Sequence, residues 1–319
     1  MATVTDFRLK IRHWFRKYGK IVFIILLAVA IIFTINKYLM LTDTIKIPET
    51  TYTPKVSVMN PSSEAPNIVQ STAEEKIEQY VGYCNEGNYQ KAFNMLSEDC
   101  KKYAFNNSLD DFTDYVLVKM LTPKKYSIQN YSNYKGYYIY EVKYIDDILT
   151  TGLTNQTYKY STEKIIFKKN GSNFDMSVGN FVSYEEIKNV LENDYIKINV
   201  IDKLTRYSIE TYKVKFTNRT DSTVVISDNL VKNEVKLVLP QEYRSVENTN
   251  DNVILSPGET KMVDFAFTKF FDDGDVSQGL LFSSVRVIED YKGVNGTEEE
   301  QRREIDNAIS KFSIEIPLK

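Results

Sequence analysis

The stretch YYIYEVKY, residues 137–144, has the alternation of a β-strand that buries one face. Tyrosine or valine occupies every even position from Tyr138 to Tyr144, whereas Glu141 and Lys143 occupy odd positions. Successive side chains of a strand point to opposite faces, so one face is aromatic and the other carries the charges. This alternation predicts a strand in a sheet with one tyrosine-bearing face.

A second strand and a hairpin follow this stretch. Residues 157–169 are again strand-like. The pair Asn170-Gly171 favours a tight type I′ turn into a third strand at residues 173–179. The three strands together predict an antiparallel sheet.

Three helices are predicted before the sheet. Overlapping capping boxes in residues 71–75 (STAEE) begin the first helix, and residues 85–88 (NEGN) end it. Residues 89–97 begin the second, and Ser108, with Asp111 three positions later, caps the third. Helices followed by a curled antiparallel sheet predict an α+β unit.

The helical region resembles a known family of domains. The stretch CNEGNYQKAF, residues 84–93, with Leu96-Ser97 after it, is similar to the turn that joins the first two helices of nuclear transport factor two-like domains. The resemblance covers about residues 71–188 and implies a cone-shaped sheet. That family includes enzymes, ligand-binding cups and non-enzymatic assembly modules. One branch is also similar in topology: the single-span assembly subunits of conjugation and type IV secretion channels.

The second half of the chain is rich in strand patterns. From Tyr195 onward, short runs of alternating apolar and polar residues are separated by turns, which predicts an all-β sandwich over residues 195–319. A charged helix is predicted after Thr297. Two stretches resemble the immunoglobulin-like accessory domains of bacterial surface lipoproteins and membrane proteins, namely residues 213–226 and 255–267. Within the second, SPGET fits a type II turn.

A short helix is predicted at the junction of the two domains. Ser183, with Glu186 three positions later, forms a capping box, and the helix would extend to about Leu191. The domain boundaries are therefore predicted at residues 71–190 for the α+β domain and 195–319 for the sandwich.

The strongest apolar signal lies near the N-terminus. Residues 21–35 (IVFIILLAVAIIFTI) contain one polar residue, and residues 21–41 are long enough as a helix to span a hydrocarbon layer of about 30 Å. Residues 1–20 carry one acidic residue and six basic ones, which are Arg8, Lys10, Arg12, Arg16, Lys17 and Lys20. The positive-inside rule predicts a basic cytoplasmic tail, a transmembrane signal-anchor helix and an extracytoplasmic remainder. Cleavage of a signal peptide near residues 28–30 stays open as the alternative.

A linker is predicted between the membrane and the first domain. Residues 42–70 contain four of the eight prolines and many serines and threonines. This composition is typical of mixed coil and polyproline conformation. Such a segment would hold the folded domains away from the membrane surface.

Composition excludes several kinds of chemistry. The 319-residue chain has one histidine, His13, so no imidazole after residue 41 could serve a catalytic triad or ligate a metal. Residues 42–319 carry 33 basic and 42 acidic side chains, and this acidic excess disfavours nucleic-acid binding. Cys84 and Cys100 are predicted to be separate buried thiols because the second helix runs away from Cys84, with a disulfide as the open alternative.

Acidic residues supply the remaining catalytic candidates. Four of them could support carboxylate acid–base chemistry with tyrosines as donors: Glu141, Asp146, Asp147 and Glu163. Alternation places Glu141 opposite the tyrosine face, and Asp146-Asp147 follow where a strand ends, so a solvated strand edge is favoured for the set. Residues 272–275 (DDGD) lack the ligand spacing of a calcium loop and favour a polar turn. No catalytic, metal or cofactor site is predicted, and the chain is predicted not to be an enzyme.

Tyrosines are concentrated in one part of the chain. Residues 80–160 hold 14 of the 23 tyrosines, which suits a protein or glycan interface. The predicted binding surface consists of Tyr137, Tyr138, Tyr140, Tyr144, Tyr158 and Tyr160. The alternative is that these tyrosines fill half-buried sheet positions.

These observations predict a single-pass protein of the cell membrane in a Gram-positive-type bacterium. Its expected function is that of a non-enzymatic interaction or scaffold protein of the cell envelope, with a conjugation or secretion channel as one setting. Its expected partners are the membrane, other envelope proteins and a second copy of itself. Two alternatives stay open: a ligand-binding or carboxylate-based enzyme site inside the cone, and wall-glycan binding through tyrosines.

Overall fold

The computed structural model describes residues 67–120, 124–146, 160–171, 173–227, 235–247, 252–289, 291–292 and 296–318. Within these ranges the chain mixes helices and strands, and the strands form three antiparallel sheets, the first of them curled. None of the helices in this part of the chain is long and apolar enough to cross a membrane. The predicted tail and span lie outside the described residues, with Arg8, Lys10, Arg12, Arg16, Lys17 and Lys20.

In the part of the chain that the structure describes, four helices precede the curled sheet: α1 (Asn67–Asn85), α2 (Tyr89–Asn94), α3 (Glu98–Phe105) and α4 (Leu109–Lys119). The predicted cap of α4 is confirmed, because Ser108 Oγ accepts a hydrogen bond from the Asp111 N–H at 3.0 Å. Three helices were predicted here, and α3, a short helix of eight residues, was not among them. The first helix begins at Asn67, before its predicted start at Ser71, so the end of the predicted linker is helical.

The curled sheet is built from β1 (Lys124–Tyr134), β2 (Tyr137–Asp146), β3 (Tyr160–Asn170) and β4 (Asn173–Ser177), in that order across the sheet. The predicted strands β2, β3 and β4 and the hairpin after β3 are confirmed, since Asn170 pairs with Asn173 across a two-residue loop. Strand β1 was not predicted. The tyrosine face of β2 packs on the helices, in the same core as Tyr80 and Phe112. Helices on one face of a curled sheet confirm the predicted α+β character of this region.

The second sheet contains β5 (Phe181–Glu192), β6 (Ile196–Arg206), β7 (Ile209–Asn218) and β12 (Thr260–Thr268), in the order β12-β7-β6-β5. Alternation along β7 buries Tyr212, Val214 and Phe216 as predicted.

The helix predicted to begin at Ser183 is wrong, because this segment is strand β5. It pairs with β6 from Phe181 to Glu192, with two register shifts on the way. Ile187 and Leu191 pack against the core between the second and third sheets. Pairing and burial across the sheet outweigh a local capping signal, which is weak by itself. The strand runs through the position where the domain junction is predicted.

The third sheet contains β8 (Thr223–Ser227), β9 (Val235–Val238), β10 (Tyr243–Ser245), β11 (Val253–Leu255), β13 (Gly279–Ile288) and β14 (Ser310–Pro317). It faces the second sheet across a shared apolar core, in which Phe282 lies 5.3 Å from Phe216 and 5.9 Å from Phe265 between ring centroids. The predicted charged helix is confirmed as α5 (Glu298–Asp306), with a capping box at Thr297. The predicted type II turn is confirmed by Gly258, whose φ is 71°.

The curled sheet also packs directly against the second sheet. Ile139 and Ile166, on the outer face of the curled sheet, are buried against Val182 and Tyr207. On the helical side, Tyr103 of α3 stacks on Tyr184 of β5, with 3.6 Å between ring centroids. These contacts fix one region against the other and create the cleft described next.

Candidate functional site

A cleft of about 510 Å³ opens where the curled sheet meets the second sheet. One wall is the turn between β1 and β2, another is residues 183–189 of β5, and a third is the segment 269–277 after β12. Thr205 and Glu210, at the paired ends of β6 and β7, contribute to its lining. The volume lies within the range of about 300–1,000 Å³ that is usual for small-molecule sites.

An aromatic group forms the apolar wall of the cleft. The Phe271 ring meets the rings of Tyr134 and Tyr137 edge to face, with centroids 5.2 and 5.0 Å apart. The backbone N–H of Phe271 donates to the carbonyl oxygen of Tyr207 at 2.8 Å, which anchors the segment. Edge-to-face rings are mutually stabilising and rigid, so this wall is preformed.

A buried charge network lies beside the aromatic wall. Glu210 is 5% exposed, and one of its carboxylate oxygens accepts hydrogen bonds from the hydroxyls of Tyr212 and Ser277, each at 2.7 Å. The other oxygen lies 3.3 Å from the ammonium nitrogen of Lys269, which is 3% exposed and also lies 3.4 Å from Asp273. Buried charges persist when they are paired and hydrogen-bonded, as these are.

The network changes the acidity of its members. Burial alone raises the pKa of Glu210, but hydrogen bonds from Ser277 and Tyr212 and the charge of Lys269 outweigh it and lower that pKa below its usual 4.5. Burial, and then the charge of Glu210, raise the pKa of the Tyr212 hydroxyl. Glu210 is therefore held ionised and Tyr212 protonated near neutral pH.

The lowered pKa of Glu210 predicts a loss of stability in acid. A group whose pKa is depressed on folding stabilises the protein above its unfolded pKa, and this contribution disappears as pH falls through the folded pKa. We expect the free energy of unfolding to fall below about pH 4.5, and Glu210→Gln to flatten this slope. Urea unfolding followed by circular dichroism between about pH 3 and pH 6 measures it. Identical slopes in the two proteins would contradict the assignment.

Thr205 carries an unpaired hydroxyl at the cleft. Its side chain is on β6 directly opposite Glu210, and the residue is 2% exposed. Within the part of the chain that the structure describes, its Oγ1 has no hydrogen-bond partner. Buried hydroxyls are normally paired, so an unpaired one beside a cleft points to a missing partner.

Thr205→Val is expected to leave stability unchanged or to raise it by about 1 kcal/mol. Valine keeps the shape and removes a buried polar group that makes no bond in the free protein. The matched control is Thr220→Val, because the Thr220 hydroxyl bonds to Asn218 Oδ1 at 2.9 Å and to the Ser222 carbonyl at 3.0 Å. Urea unfolding should show a loss of about 1 kcal/mol for the control alone. Equal losses would mean that Thr205 is paired in solution.

The charges along the cleft are balanced. Among its described lining residues, four lysines face four carboxylates: Lys135, Lys188, Lys203, Lys269, Glu185, Glu186, Glu210 and Asp275. Several form pairs with one another, such as Lys203 with Glu185 at 3.2 Å. The cleft therefore has many polar groups and little net charge.

The predicted tyrosine surface is corrected by the structure. Tyr138, Tyr140 and Tyr144 are 8%, 1% and 0% exposed, because the alternation of β2 directs them to the helices. Tyr137 points to the other face and lines the cleft. Tyr160 is exposed at the opposite end of the strand pair, and Tyr158 lies outside the described residues.

The predicted carboxylates are separated by the sheet. Glu163 is 3% exposed, so the solvated position predicted for it is wrong. Its oxygens accept hydrogen bonds from the Tyr115 hydroxyl, the Tyr144 hydroxyl at 2.8 Å and the Gly179 N–H at 3.0 Å. Glu141 forms an ion pair with Lys164. Of the last two candidates, only the backbone of Asp146 is described, at the end of β2, and Asp147 lies outside the described residues.

Two other predictions are confirmed. Cys84 and Cys100 are free, buried thiols, and burial raises the pKa of each to about 12. Residues 272–275 form a turn, in which the Asp275 N–H donates to Asp273 Oδ1 at 3.1 Å. Across the described ranges, no group of three or more His, Cys, Asp or Glu side chains is arranged to hold a metal ion.

No protein-family model matches this chain, and none of the curated proteins matches it.

Proposed function

We propose that this chain is a non-enzymatic interaction protein of the bacterial cell envelope, anchored by one membrane span, whose extracytoplasmic region binds another envelope component through the cleft. The observation that carries the proposal is the cleft itself, which combines a rigid aromatic wall with a buried polar network. Preformed concave sites with a few convergent polar groups are the usual places where ligands bind.

The finer fold assignment is part of the proposal. Four helices followed by a curled four-stranded sheet support a nuclear transport factor two-like domain. Two facing sheets with a shared core support an immunoglobulin-like sandwich. The apolar run at residues 21–35, flanked by six basic residues on its N-terminal side, supports the membrane anchor. Participation in a conjugation or secretion channel rests on the resemblance in topology, and neighbouring genes would test it.

Binding is better supported than catalysis. Glu210 and Lys269 neutralise each other in the cleft, so neither is a free acid, base or nucleophile. The concave side of the curled sheet is filled by large side chains, among them Phe112, Tyr140 and Phe167. Glu163 is enclosed there with two tyrosine hydroxyls. We therefore assign the ligand to the cleft and not to the space inside the curled sheet.

Photo-cross-linking in the producing cells tests the proposal. A photoreactive phenylalanine analogue replaces Val276, an exposed residue of the cleft, or Ile309, an equally apolar exposed residue that is not part of its lining. We expect a cross-linked product with an envelope component from the Val276 position and none from the Ile309 position. No product at Val276, or equal yields at the two positions, would remove the support for a binding cleft.

A further inference from the structure

We infer that the ligand of the cleft is a neutral, polyhydroxylated molecule, that is, a segment of glycan. This inference rests on the proposed function, and it names the chemical class of the component that the cleft binds. Three features of the cleft lead to it: balanced charge, an unpaired buried hydroxyl and an aromatic wall.

The balance of charge disfavours a charged ligand. The buried carboxylate of Glu210 already has Lys269 at 3.3 Å, and Lys203 has Glu185 at 3.2 Å. Three of the four lining lysines are paired with three of the four lining carboxylates. A polyanion or a polycation would therefore lose its hydration in this cleft and find few charges of opposite sign that are not already paired. Hydroxyl groups, in contrast, can donate to a carboxylate and accept from an ammonium group without disturbing the pair.

The Thr205 hydroxyl is complementary to a ligand that both donates and accepts. It is buried beside Glu210 and has no partner among the described residues. A threonine hydroxyl is a donor and an acceptor at once, and rotation between staggered positions about Cα–Cβ can turn it towards the cleft. A hydroxyl of the ligand would give this group the hydrogen bond that it lacks in the free protein.

The aromatic wall supplies the apolar part of the recognition. Phe271 is fixed between Tyr134 and Tyr137, and the tyrosines add hydroxyls at the edge of an apolar surface. A sugar ring has one face of C–H groups and a periphery of hydroxyls. That amphipathic shape matches a site with an aromatic wall on one side and paired polar groups on the other.

Isothermal titration of the purified full-length chain tests the ligand class. The neutral probes are maltotriose and triacetylchitotriose, the trimer of N-acetylglucosamine. The matched charged probe is the deacetylated chitosan trimer, which has the same rings and linkages with an ammonium group on each. We expect a neutral trimer to bind and the chitosan trimer to bind more weakly. We expect Thr205→Val to lower the affinity for the neutral trimer by about tenfold while the protein stays folded.

Three results would overturn the inference: no heat from either neutral trimer, tighter binding of the chitosan trimer, or equal affinity of the wild type and Thr205→Val. The photo-cross-link at Val276 separates this failure from failure of the proposed function. A cross-linked product without sugar binding would keep the binding cleft and reject the glycan. Absence of both would reject both proposals.

Discussion

Replacing Glu163 with alanine is expected to lower the free energy of unfolding by about 3 kcal/mol or more. The Glu163 carboxylate accepts from Tyr115 of α4, Tyr144 of β2 and the N–H of Gly179 in the loop before β5. Removing it leaves the buried Tyr144 hydroxyl and the two partly buried donors without this acceptor, and an unsatisfied buried donor costs about 1–3 kcal/mol. Because the three donors lie on three different elements, the loss loosens the helices, the curled sheet and the connection to the second sheet together.

The control for this prediction is Glu141→Ala on the neighbouring strand. Glu141 pairs with Lys164 on the outer face of the same sheet, and its side chain is partly exposed. Exposed ion pairs contribute about 0–1 kcal/mol, so this variant should lose little. Urea unfolding followed by far-ultraviolet circular dichroism compares the two. A similar small loss for both glutamates would show that Glu163 is solvated, as the sequence alone suggests.

Lys269→Met is expected to destabilise the protein by about 3–5 kcal/mol. The substitution keeps the apolar length of the side chain and removes the cation 3.3 Å from the buried carboxylate of Glu210. An uncompensated buried charge is expensive, which is the physical reason for the size of the loss. The charge of Asp273 stays compensated in this variant, because Arg244 lies 3.4 Å from it.

A double variant tests whether Glu210 and Lys269 stabilise the protein as a coupled pair. Glu210→Gln removes the charge that Lys269→Met leaves uncompensated, so the double variant should recover much of the stability lost by Lys269→Met alone. Lys188→Met is the surface control, since Lys188 and Glu186 are largely exposed and 3.3 Å apart. It should lose less than about 1 kcal/mol. Additive losses in the double variant would mean that Glu210 and Lys269 do not form a buried pair.

Local sequence patterns anticipated much of the secondary structure. The alternation in β2 and β7 was sufficient because one face of each strand packs on a core. The capping box at Ser183 predicted a helix wrongly, because strand pairing with β6 decides the conformation of that segment. A capping signal over four residues cannot report such pairing, since the pairing depends on the residues of the following strand and on burial in the sheet.

The cleft could be predicted only in part. Tyr137 was among the expected binding residues, but the cleft also needs β5 and the segment after β12, which the fold brings together from distant positions. One signal was present in the sequence and was missed: Glu210 begins the row of core-facing residues that continues with Tyr212, Val214 and Phe216. A lone charge on an apolar strand face indicates a buried, paired group. The unpaired state of Thr205 depends on tertiary geometry and has no sequence signal.

The most direct test that a ligand binds in the cleft through Thr205 is the yield of the Val276 photo-cross-link in two backgrounds, the wild type and Thr205→Val. Because Thr205→Val is expected to keep the fold, a change in yield reports binding and not stability. The account predicts that the yield falls several-fold in Thr205→Val, with equal amounts of the chain in the membrane. Equal yields in both backgrounds would contradict it.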